Sequence, residues 1–144
     1  MKKSREKLML VLVVIVIFWV SGCSQVPTTI LNIGDSSKFS DGEMLEAADL
    51  ILNSRDDFIK NSRISHLTYD ESESEGLILS YLPSFLESNS QYEQYEPKNI
   101  LFFSSKIKTS RDSGSLEPLS TYDEFYWILV KEHNWQIIYA GFLN

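Results

Sequence analysis

The sequence predicts an α+β domain, a curved antiparallel sheet packed on one long N-terminal helix, with a second, short helix. Three observations predict it. A capped, helix-periodic stretch follows Ser40, a shorter apolar cluster behind an acidic cap makes a second helix, and the last third holds three consecutive β-type runs. Consecutive strands joined by hairpins are antiparallel, and their apolar face needs a cover, for which the long helix is the natural candidate.

The chain starts with Lys2, Lys3, Arg5 and Lys7, then an unbroken apolar run of 13 residues from Leu8 to Val20. As a helix that run is roughly 20 Å long, short of the ~30 Å hydrocarbon core of a bilayer. A positive start, a short apolar stretch and small residues after it make residues 1–22 a secretory signal peptide. A retained, short membrane anchor is the competing reading, and Val20-Ser21-Gly22-Cys23 argues against it. This tetrapeptide resembles the bacterial lipobox, which implies a diacylglyceryl group on the Cys23 sulfur, cleavage after Gly22 and a membrane location facing outward. Cys23 is the sole cysteine, so lipidation leaves no thiol chemistry behind. Two acyl chains suffice for stable anchoring where one is marginal, at about 0.8 kcal/mol per buried CH₂.

Ser24 to Lys38, with Pro27, Gly34 and several hydroxyl residues, is expected to be a tether, although Ile30, Leu31 and Ile33 could pack on the domain as an extended segment. The folded domain is expected over residues 39–144. Ser40-Asp41-Gly42-Glu43 is a capping box, flanked by Phe39 and Met44 where a hydrophobic staple sits. Met44, Ala47, Ala48, Ile51 and Leu52 recur at helical spacing, and the helix runs to about Lys60, with Asn61 as its stop. Ile64 to Tyr69 alternates as a strand, with Leu67 and Tyr69 against His66 and Thr68. Asp70 or Ser72 can cap the short second helix, which Pro83 ends or kinks near Leu82. After a polar loop from Glu87 to Lys98 come strands over Asn99–Thr109, Tyr122–Val130 and Trp135–Phe142, the last two joined by Lys131-Glu132-His133-Asn134 as a hairpin. Ser110 to Thr121 is a long connection.

Charge and composition exclude several functions. The leader holds four of the 13 basic residues and one of the 20 acidic ones, which leaves nine against nineteen and a net charge of about −10. Such a surface is repelled by nucleic acid, and by the same argument from anionic headgroups, so the lipid alone is expected to hold the protein on its membrane. Metal binding lacks ligands: His66 and His133 are the only histidines and lie far apart in sequence. Asp70, Ser72 and Ser74 alternate like the start of a calcium loop, but Glu75 stands where the glycine belongs and Tyr81 where the bidentate glutamate belongs. There is no G-x-S-x-G elbow and no glycine-rich phosphate loop. No cofactor and no catalytic residue is expected.

Gly114-Ser115-Leu116-Glu117-Pro118-Leu119-Ser120-Thr121-Tyr122, Trp127-Ile128-Leu129-Val130, Trp135 and Gly141, with Tyr69-Asp70-Glu71 upstream, resemble a family of small Firmicutes lipoproteins built on a domain of unknown function. The resemblance implies a nuclear-transport-factor-2-like or cystatin-like roll. The chain departs from the pattern at Tyr126 and at Phe142-Leu143, and the family brings no catalytic residues to carry over.

Two groups of side chains remain as candidates. His66, Tyr69 and Asp70 would line a pocket between sheet and helix if the roll were an enzyme or a ligand carrier. Tyr122, Tyr126 and Trp127 would contribute to an aromatic surface for a protein, peptide or glycan. Strand alternation puts Phe125 and Trp127 on one face and Tyr122, Tyr126 and Ile128 on the other, so a second helix or a partner should cover the face that the first helix does not. The leading expectation is a non-enzymatic, lipid-anchored binding module.

Overall fold

Five strands and three α-helices make up residues 28–143, the part of the chain that this computed structural model describes; the leader, Cys23 and the first residues of the expected tether lie outside the described residues. The order is β1 (Ile30–Ile33), α1 (Asp41–Phe58), β2 (Ser62–Tyr69), α2 (Glu71–Ser80), α3 (Leu82–Ser88), β3 (Ile100–Thr109), β4 (Thr121–Lys131) and β5 (Trp135–Gly141). Two short 3-10 turns, Ser90–Tyr92 and Pro97–Asn99, interrupt the stretch expected to be loop.

Local chemistry sets the boundaries. The Ser40 hydroxyl accepts from the Glu43 N–H, and the Glu43 carboxylate accepts from the Ser40 N–H at 2.9 Å, so the capping box forms with both its bonds. Asn61, with φ at 53°, turns the chain out of α1 in the left-handed region that asparagine tolerates. The Asp70 carboxylate caps α2 by accepting from the Glu73 N–H at 2.8 Å. Pro83 falls in the first turn of α3, where no N–H is needed, so one expected helix becomes two, divided at Tyr81.

The sheet has the order β1-β2-β3-β4-β5, with β2 to β5 antiparallel. It is mixed, not antiparallel throughout, because β1 runs parallel to β2 with Ile30 beside His66 and Ile33 beside Tyr69. The sheet thus begins inside the stretch expected to be tether. The reason is topological: β1-α1-β2 is a helical crossover, and a crossover returns the chain in the same direction.

Helices lie on both faces. Met44, Ala47, Ala48 and Ile51 of α1 pack on Leu101, Phe103, Ile107, Phe125, Trp127 and Leu129. Ile78, Leu82 and Phe85 of α2 and α3 pack on Ile100, Phe102, Ile128 and Val130 from the other side. A bulge where the β3–β4 register shifts between Ser105 and Ile107 moves Tyr122 opposite Ile107, on the α1 face. Simple alternation placed it on the opposite face.

The parallel β1 gives the sheet two distinct ends. Ser62, Thr109 and Thr121 mark the near end, and β1, starting beside His66 in the middle of β2, runs away from it; Ile33, Tyr69, Ile100, Lys131 and Trp135 mark the far end.

Candidate functional site

His66, Tyr69 and Asp70 face three different surroundings. His66 is half-buried on the face opposite Leu67, its Nδ1 3.2 Å from Ser65 Oγ. Tyr69 is only 2% exposed and stands in the α1-side core, its ring centroid 5.4 Å from that of Phe103. Burial pushes its phenol above the ordinary tyrosine range. Asp70 is exposed and occupied with capping α2. Positions 66 and 69 fall on opposite faces of a strand, and position 70 has left it, so the backbone separates the three side chains.

The aromatic candidates also separate. Trp127 is fully buried; its Nε1–H donates to Ser105 Oγ at 2.9 Å, and that hydroxyl donates to the Phe125 carbonyl at 2.9 Å. Tyr126 lies on the other face, half-buried, with its hydroxyl donating to Glu73 Oε1 at 3.2 Å. Burial first, then the Glu73 and Glu124 carboxylates, push its phenol up to about 12. The Tyr122 hydroxyl accepts from the Glu117 N–H at 3.0 Å, and its ring lies 5.3 Å from that of Phe142. These residues tie elements together and form no shared surface, because Trp127 is needed inside and the bulge turns Tyr122 away from Tyr126.

A hollow of about 490 Å³ opens at the far end, between the β4–β5 turn and the 3-10 segment before β3. Gln94, Tyr95, Glu96 and Asn99 line one side, and Lys131, Glu132 and His133 the other. Its walls are held from behind. Tyr95 stacks on Tyr92 at 6.3 Å, and Tyr92 on Phe85 at 6.0 Å, which joins that wall to α3. The Lys131 ammonium lies 5.1 Å over the Trp135 ring and 3.6 Å from the Glu43 and Glu46 carboxylates. Trp135 Nε1–H in turn donates to the Glu43 carbonyl at 2.9 Å. The Ser40 N–H and hydroxyl, and more weakly Lys131, hold the Glu43 carboxyl below the usual carboxylate range. A smaller hollow of about 240 Å³ lies between α3 and Tyr139.

The chain matches no family model, no curated protein and no solved structure.

What the far-end hollow can do follows from its own side chains. Two amides, two carboxylates, an imidazole and a phenol offer donors and acceptors over an open surface. Among the described residues no group of three or more His, Cys, Asp or Glu side chains could hold a metal ion. No described helix is long and apolar enough to cross a membrane. The sequence places His133 in the turn, where it is found, but the opposing wall lay in what read as featureless polar loop. Tyr92, Tyr95 and Pro97 within that stretch were the available signal.

Proposed function

We propose that this protein is a lipid-anchored, extracytoplasmic binding module that takes a polar ligand, a peptide or glycan, in the far-end hollow and carries out no catalysis. The observation that carries the reading is directional. β1 runs along the sheet in the direction from the near end to the far end, which supports an orientation in which an anchor on Cys23 leaves the hollow of Gln94, Tyr95 and His133 on the side away from the bilayer. The signal peptide and the lipobox-like Val20-Ser21-Gly22-Cys23 support the outward-facing membrane location. The likeness to the Firmicutes lipoproteins supports a roll, with the sheet curved over the long helix α1. A roll-type enzyme or carrier built on His66, Tyr69 and Asp70 draws no support from three side chains in unlike surroundings.

Two measurements test this. Labelled palmitate is expected to enter the chain in its native host and to be lost in Cys23→Ser. A photo-crosslinking residue in place of Tyr95 is expected to capture a peptide or glycan on intact cells, whereas one in place of the exposed Ser84, on the smaller hollow, is not. Absence of any adduct at position 95, in a chain that does carry the lipid, would remove the hollow as the binding site.

A further inference from the structure

Nine lysines and arginines lie in the described residues, and their pairing divides them by position. Lys38, Arg55, Lys98, Lys106 and Lys131 each face a carboxylate, on Glu75, Asp56, Glu96, Asp123, and Glu43 with Glu46, respectively. The other four, Lys60, Arg63, Lys108 and Arg111, pair with no carboxylate among the described residues, and all four sit at the near end. Arg63 and Lys108 stand directly opposite each other on β2 and β3. Like charges in that position are destabilising, so folding alone does not favour the arrangement. Lys60 and Arg111 flank them in turns joined by Ser110 N–H to the Asn61 carbonyl at 3.2 Å and Asn61 Nδ2–H to the Asp112 carbonyl at 2.9 Å. Asp57 and Asp112 are the nearest carboxylates along the chain, and neither pairs with the four.

A second observation falls at the same end. Leu119 is 70% exposed with φ at 55°, a left-handed conformation that leucine avoids. Its N–H donates to the carbonyl of Ser110, the residue before Arg111, at 3.1 Å, which brings the backbone at Leu119 back to the turn that carries Arg111. A large exposed hydrophobe next to unpaired cations is the composition of surfaces that rest in a membrane interface.

The chain that leads to the anchor arrives here too. Thr29 Oγ1 donates to the Ile64 carbonyl at 2.7 Å, one residue from Arg63. Cys23 precedes Thr28 by five residues, so the lipid-bearing residue lies within about 18 Å of Thr28, whatever path the intervening chain takes.

We propose that the near end is a headgroup-contact surface: Lys60, Arg63, Lys108 and Arg111 lie against the anionic phospholipid surface that holds the chain's own acyl anchor, and Leu119 dips into its interface. The proposal rests on the lipid-anchored reading above. It corrects the expectation from net charge that the domain is repelled from anionic lipid. Fields decay within about 8 Å at physiological ionic strength, so the nearest charges decide, not the total. The acidic remainder of the domain is then driven outward, which orients the far-end hollow.

The test uses the mature protein purified from membranes of its host and reconstituted into vesicles of phosphatidylcholine, alone or mixed with phosphatidylglycerol. A fluorophore on Ser115→Cys, in the exposed loop between β3 and β4, reports contact through quenching by nitroxide-labelled lipid. Quenching is expected to be stronger with phosphatidylglycerol and to fall with added salt. Each cation near an anionic surface gives about a fivefold gain in occupancy, so Arg63→Gln with Lys108→Gln is expected to cut the contacting population roughly twenty-five-fold. Lys60→Gln with Arg111→Gln, outside the strands, provides the same readout if the strand variant misfolds. Equal quenching in both vesicles, or quenching indifferent to both double variants, overturns the proposal. The mass of the N-terminal peptide reports acylation separately: an unacylated Cys23 overturns the anchor and this surface together, whereas an acylated chain with indifferent quenching overturns this surface alone.

Discussion

Phe102 has no strand partner on its β2 side, since β2 follows β3 only as far as Thr68 opposite Ser104. Its N–H donates instead to Ser74 Oγ at 3.1 Å, and Ser74, on α2, is 1% exposed. Removing one partner of a buried hydrogen bond leaves the other desolvated, so Ser74→Ala is expected to lower stability by about 1–3 kcal/mol in urea unfolding, while exposed Ser72→Ala leaves it unchanged. The sequence shows Ser74 as part of a solvated acidic run. Its spacing to Ile78 and Leu82, four and eight residues on, was the legible sign that it belongs to the buried stripe of the helix. The same bond-counting applies to Trp127, where truncation to Ala deletes a large core side chain and leaves Ser105 Oγ without its donor. A loss of about 3–5 kcal/mol is expected from the cavity, so Trp127→Ala reports folding and says nothing of binding. Tyr126 carries a pH signature. Its phenol is raised in the fold to about 12, so its neutral form is favoured there and its contribution is complete below the unfolded tyrosine value of about 10. As pH climbs through that value to about 12 the contribution is lost. Thermal unfolding across this alkaline window is expected to fall less steeply in Tyr126→Phe than in the wild type.

Among the elements, those written in local chemistry were legible. The capping box at Ser40, the alternation of β2, the break at Pro83 and the hairpin around His133 are all specified within a few residues of themselves. β1 was legible only in part: Ile30, Leu31 and Ile33 marked an extended segment that could pack on the domain, but its parallel pairing was not, because four residues take their place from β2, which lies across α1 in sequence. The bulge that moves Tyr122 was hidden for a similar reason: a two-residue alternation persists in the sequence whether or not the partner strand skips one. The hollow suffered most, since it is assembled from a turn and a 3-10 segment far apart in the chain. The loop between β3 and β4 offers a test at this scale. Leu119 occupies a left-handed conformation that costs a branched side chain about 1–2 kcal/mol, and with 70% of it exposed little burial offsets the strain. Glycine adopts that conformation freely but gains entropy when unfolded, so Leu119→Gly is expected to stabilise the domain by up to about 1 kcal/mol in thermal unfolding. The same change is expected to weaken contact with anionic vesicles. A variant that is less stable would mean that Leu119 is retained for packing.

The molecule as a whole is unequal on its two faces. Fifteen buried residues form the α1-side cluster and seven the cluster under α2 and α3, while the central strands contribute to both. Hydrophobic stabilisation scales with apolar area removed from water, so the α2–α3 layer is held by less than the α1 layer. Its other ties to the sheet include the Ser74–Phe102 and Tyr126–Glu73 hydrogen bonds and the ring contacts of Tyr81 with Phe102 and Phe85 with Tyr139, while Glu71 and Glu75 bond Ser37 and Lys38 ahead of α1. Elements with fewer buried contacts open at lower free energy than the global transition. In native-state hydrogen exchange, amides of α2 and α3 are therefore expected to exchange through a sub-global opening, whereas α1, β3 and β4 exchange only with complete unfolding. The wall of the far-end hollow that carries Tyr95 rests on this weaker layer through Tyr92 and Phe85, and the opposite wall rests on the stronger one through Lys131, Trp135 and Glu43. A ligand that bridges both walls must then slow exchange in α2 and α3 while leaving α1 unchanged. Equal protection across both layers in the free protein would show that the two clusters unfold as one unit, and the hollow would then be rigid.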